Sequence, residues 1–157
     1  ELGWAFGVFV FIIGAGLSTA WPGGALGPGG STDLLLLIAL LMASFTSPRV
    51  GVLWGFAAGL VAGGLAGADM GPLIVSRALL CFALGFLPRR DTTVHLTTRL
   101  ILIIVAYLVA QLILLFLAPP PDIGAFLRVT MAGAVINAAL AWPMAVMLQR
   151  WFVRRFL

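Results

Sequence analysis

The sequence contains no lysine, one histidine, one cysteine and one tyrosine, and charged side chains make up only 9% of its 157 residues. Each shortage excludes something. A single thiol, Cys81, rules out a disulfide within the chain; set in an apolar run, it reads as a small packed side chain. The lone His95 has neither cysteine nor glutamate near it, so no metal-ligand set is visible. No pair of carboxylates falls inside an apolar run, and Ser18, Ser44 and Ser76 have no neighbouring base. The reading is therefore non-enzymatic, with no cofactor and no metal. All nine basic residues are arginine. They are scattered between apolar runs and form no patch of the kind that binds nucleic acid. Soluble domains carry about 25% charged residues; a water-soluble globule made from this chain would lack the polar surface to cover itself.

What is there is oil. Hydrophobic residues make up 62% of the chain, and the mean hydropathy is +1.18. The apolar runs are continuous, which predicts an all-α membrane protein; a membrane barrel would alternate in ten-residue segments. Six runs separate at their breakers, at about 4–20, 34–45, 50–66, 73–87, 96–117 and 126–148, within a single transmembrane domain covering residues 1–157. The breakers are "WPGGALGPGGSTD", "TSPR", "GADMGP", "PRRD" and "APPPD". Asp33 or Thr32 is placed to cap the second run. A cleavable signal peptide does not fit residues 1–21, which lack a basic opening. Several runs fall short of the ~20 residues of an upright span, so "DLLLLIALLMASF" with its successor also admits a re-entrant hairpin. Charge arbitrates. Arg49, Arg89, Arg90, Arg99, Arg150, Arg154 and Arg155 lie in or beside the segments after runs two, four and six. The segments after runs one, three and five carry Asp33, Asp69 and Asp122 and no arginine. The expectation is a six-helix bundle with both termini in the cytoplasm, Arg89, Arg90, Arg150, Arg154 and Arg155 anchoring that face.

Glycine recurs every fourth residue at Gly51, Gly55, Gly59, Gly63, Gly67 and Gly71. In water each costs a helix roughly 1 kcal/mol relative to alanine. In lipid, helices associate by close van der Waals contact, which small residues permit. The ladder drifts about 40° per step around a 3.6-residue helix and traces a slanted groove, widened by Ala58, Ala62 and Ala66. Gly3 and Gly7 suggest a smaller notch in run one. The groove fits either a neighbouring helix of the chain or a membrane helix of another protein. Gly67 and Gly71 suit an exit turn with positive φ.

Polar groups within the runs are the remaining candidates. Arg77 and Arg128 each follow an aspartate, Asp69 and Asp122. They either snorkel to headgroups or face inward to read an acidic group, a ligand or Asp69 itself. Gln111 and Asn137, near the middles of runs five and six, should face protein and hydrogen-bond between helices. Tyr107, one turn before Gln111, can share its face, and Pro143 should bend run six. Asp69, Arg77, Arg128, Gln111 and Asn137 form a possible polar pocket.

The stretch "STDLLLLIALLMASFTSPRVGVLWGFAAGLVAGGLAGADMGPLIVSRAL" resembles the core of the MreD rod-shape-determining family. There an aspartate opens a leucine run, a short basic turn follows, and a glycine-rich segment ends in a G-x-x-x-G turn. Asp33, "SPRVG", Gly55, Gly59, Gly67 and Gly71 occupy those places, over residues 31 to about 80. Two departures stand out: Gly63 where the family usually has aspartate, and Thr32 where proline is common. The resemblance implies a non-enzymatic, multi-pass scaffold in the bacterial inner membrane, embedded in membrane lipid. It also implies an MreC-like bitopic partner and, more distantly, the RodA glycosyltransferase, a class B penicillin-binding protein and the MreB filament. MreD-like proteins also look like substrate-binding subunits of energy-coupling-factor vitamin transporters, which makes such a subunit the alternative. It would hold an anionic vitamin with Arg77, Arg128 and Asn137.

Overall fold

Helix starts and stops follow the local chemistry of the sequence. A computed structural model of the chain describes residues 2–20, 33–67, 70–87 and 96–156, and every regular element in them is helical. The elements are α1 (Leu2–Ala20), α2 (Leu34–Phe45), α3 (Pro48–Ala66), α4 (Met70–Leu84), α5 (Leu96–Leu117) and α6 (Ile123–Phe156). Asp33 caps α2, its carboxylate accepting from the Leu36 N–H at 3.1 Å. Extended backbone at Thr46 ends α2, while the threonine hydroxyl donates to the Met42 carbonyl at 2.9 Å. Ser47 then caps α3, with Pro48 in its first turn, where a missing N–H costs nothing. Gly67 closes α3 in the left-handed region, at φ 69°, a conformation natural to glycine.

The helix α2 is the hub. Every residue from Leu34 to Ser44 is buried, and α2 packs against all five other helices. A helix apolar on every side has no face suited to water, so it takes the centre. Around it, α3 and α4 form the most extensive pairing in the fold. Three helical segments are long and apolar enough to cross a membrane: Pro48–Ala66, Leu96–Leu117 and Ile123–Gln149. At 1.5 Å per residue, α2 is about 18 Å long and α4 about 22 Å, against a hydrocarbon core of about 30 Å.

Helix ends at 20, 34, 45, 66, 96 and 117 coincide with the sequence reading. In contrast, α1, α3, α4 and α6 each start two or three residues earlier than expected, α4 ends three residues early and α6 eight residues late. Gly71 belongs to the first turn of α4, not to a positive-φ exit turn, because α4 starts at Met70. The last helix starts at Ile123, with Asp122 accepting from the Ala125 N–H at 2.9 Å, and runs through Pro143 to Phe156. Thus Arg150, Arg154 and Arg155 lie on α6 itself. Asp69, Arg89, Arg90 and His95 lie outside the described residues.

Candidate functional site

The glycine ladder sets the geometry of the site. Gly51, Gly55, Gly59 and Gly63 are buried, as are Ala58 and Ala62. Along the four glycines lie Cys81, Arg77 with Ala78, Ile74 and Met70 in turn, so α4 runs antiparallel in the groove. A Cβ at any of the four would come within 3.0 Å of α4; at Gly55 it would sit 2.5 Å from the Arg77 carbonyl oxygen. The ladder is a backbone-to-backbone seam. No open stretch remains along these four positions for a foreign helix, which corrects the idea that this part of the ladder docks a partner. Gly7 makes the smaller notch, against Met42 and Trp54.

The seam places Arg77. Its side chain is 1% exposed and does not snorkel; it reaches from α4 toward the start of α2. There it pairs with the Asp33 carboxylate and donates to the Ala58 carbonyl of α3 at 2.7 Å. One Asp33 oxygen caps α2 while the other takes the arginine. A buried guanidinium is tolerable only when paired and hydrogen-bonded, and three helices combine to meet that condition. The acidic partner is Asp33, 44 positions away in sequence.

This pair lines a cavity of about 630 Å³ between the start of α2, α4, the end of α5 and the start of α6. Tyr107, Gln111 and Thr130 contribute hydroxyl and amide groups; Leu73, Leu114, Phe126 and Val129 contribute apolar wall; the Pro119–Pro121 turn and Asp122 line one side. Tyr107 and Gln111 lie one turn apart within hydrogen-bonding reach of each other. Of the residues expected to make a polar pocket, Arg77 and Gln111 meet here, joined by Asp33, Tyr107 and Thr130. Arg128 does not line the cavity: it is exposed and donates to the Gly124 carbonyl of its own helix at 3.3 Å.

Asn137 is buried facing protein, as expected, but the expected interhelical hydrogen bond is missing. Neither its amide nitrogen nor its oxygen has a partner among the described residues. On α6 it shares its buried stripe with Ala134 and Ala141, which offer no side-chain hydrogen-bonding group.

The sequence reading took Arg99 only as a marker of topology. In the fold it is buried, donates to the Ser44 carbonyl at the end of α2, and lies 4.5 Å from the centroid of the Phe45 ring. The available signal was α2 itself. A helix apolar on all sides leaves its last carbonyls needing donors from elsewhere in the chain.

The search for known relatives returns nothing: no protein-family model, curated protein or solved structure matches the chain.

Proposed function

We propose that this chain is a non-enzymatic scaffold subunit of a bacterial cell-elongation complex. It would cross the inner membrane six times with both termini in the cytoplasm, and hold an MreC-like bitopic partner beside peptidoglycan synthases. One observation carries the reading. The stretch that resembles the MreD family is also the stretch that folds into one locked unit, with Asp33 capping α2 and pairing with Arg77 and the glycines seated on α4. The family's aspartate-then-leucine pattern and its glycine spacing thus acquire physical reasons here: a charge cap for a buried helix and a seam for its neighbour. A partner helix docks on a face other than the Gly51–Gly63 groove, which α4 fills. RodA, a class B penicillin-binding protein and the MreB filament are the wider assembly that this role implies.

Co-expression with a tagged MreC-like protein from the same genome, followed by purification in mild detergent, tests the reading. Co-purification in a fixed ratio, with loss of rod shape on depletion of this chain, is the expected result. A chain that stays behind and leaves shape unchanged rejects it. The cavity favours a second reading, the substrate-binding subunit of an energy-coupling-factor transporter. That reading requires Arg77 to meet an anionic vitamin, whereas its guanidinium is already engaged by Asp33 and Ala58. Equilibrium dialysis against a panel of anionic vitamins separates the two.

A further inference from the structure

The lining of the 630 Å³ cavity constrains what can occupy it. Its volume lies within the roughly 300–1,000 Å³ range of small-molecule sites. Two of its charged groups, Asp33 and Arg77, are closed on each other. Asp122 is the third, exposed at the edge of the cavity, with one oxygen committed to the N–H of Ala125. Among the described residues that line the cavity, an entering anion would find no cation free to meet it and one carboxylate at the edge. A cation would leave water for an interior where the buried carboxylate among the described lining residues, Asp33, is already neutralised, and desolvation opposes that. Water alone is a poor filling, since so much of the wall is leucine, phenylalanine, valine and proline. What the surface does offer is uncharged hydrogen bonding beside oil. Tyr107, Gln111 and Thr130 can each donate and accept, and they share the cavity with apolar wall from α4 and α6.

We propose that this cavity binds an uncharged amphiphile of the acylglycerol class. Its hydroxyl-bearing head hydrogen-bonds Tyr107, Gln111 and Thr130, and its acyl body lies along Leu73, Phe126 and Val129. The assignment stands on the cavity alone and does not depend on the scaffold role.

The test uses the full chain in phosphatidylcholine vesicles with a monoacylglycerol that carries a photoreactive diazirine in its acyl chain, and the labelled peptides are mapped by mass spectrometry. Labelling is expected to concentrate on α4 around Leu73 and on residues 114–130. Unlabelled monoacylglycerol should suppress it at least tenfold more effectively than two competitors of the same chain length: its phosphate monoester, in which a negatively charged phosphate replaces one hydroxyl, and its trimethylammonium counterpart. Gln111→Leu together with Thr130→Val should lower labelling severalfold, while circular dichroism and the α3/α4 seam are unchanged. The competition profile is read on the wild-type chain, so a variant that fails to fold does not remove the test. Labelling spread evenly over the exposed helix faces, which marks lipid at the perimeter only, overturns the proposal. So does equal or better competition by either charged analogue.

Discussion

The two halves of the molecule solve the same problem differently. From Asp33 to Leu87, backbone meets backbone: glycines on α3 let α4 close to contact distance, and the two charges trapped by that closeness neutralise each other. From Leu96 onward, α5 and α6 pack less closely. They border a cavity and bury an asparagine that has no partner among the described residues. In a non-aqueous surrounding there is no hydrophobic force between helices, so tightness tracks how small the contact residues are. The first half carries the rigidity, and the second keeps room for a guest.

The sharpest way to break the contrast is to remove one charge from the first half. Arg77→Met or Asp33→Asn alone leaves a buried charge uncompensated and should cost about 3–5 kcal/mol, read by denaturant or thermal unfolding in detergent. The double variant Asp33→Asn with Arg77→Met should recover most of that loss. A double variant as unstable as the sum of the singles would mean that the two charges do not act as a pair. Next in size is the seam. Gly55→Ala and Gly59→Ala each press a methyl into the α4 backbone and should cost roughly 1–3 kcal/mol. Gly71→Ala meets nothing within 4 Å and should be neutral or stabilising by up to about 1 kcal/mol. Equal effects at Gly59 and Gly71 would dissolve the seam as an explanation.

Arg99 of α5 ties the second half to the end of α2. Its replacement by methionine removes a donor from the helix C-terminus and a cation from the Phe45 ring, for about 1–2 kcal/mol, measured in the same unfolding assay. The smallest effect should carry the opposite sign. Asn137→Leu relieves a desolvated amide and should leave stability unchanged or raise it by about 1 kcal/mol. A large loss there would reveal a hydrogen bond to something other than this chain.

Local chemistry was legible in the sequence. Caps and breakers at Asp33, Ser47–Pro48, Gly67 and Pro119–Pro121 mark the helix ends within a few residues, because those signals act over one turn. The ladder also announced a close helix contact, through its fourfold spacing. Which helix fills it was not written there, since composition alone does not distinguish α4 from a foreign segment. Arg77 shows the limit most clearly. Snorkelling and burial use the same residue in the same run, and the choice depends on a carboxylate 44 positions upstream that only the packed α2–α4 unit brings near. Arg99 was misread for the same reason: a carbonyl terminus carries no side-chain letter to recognise. Two of the five residues expected in the polar pocket, Arg77 and Gln111, come together, while Arg128 sits outside it because its helix turns it outward.

The shortness of α2 bears on the order in which the chain is put together. Its aspartate finds its guanidinium 44 residues downstream and its last carbonyls find theirs 55 residues downstream, so at birth this helix has neither clamp. During synthesis it has only α1 of its five neighbours beside it until the later segments arrive. The centre of the finished bundle is thus clamped only once α4 and α5 have been made.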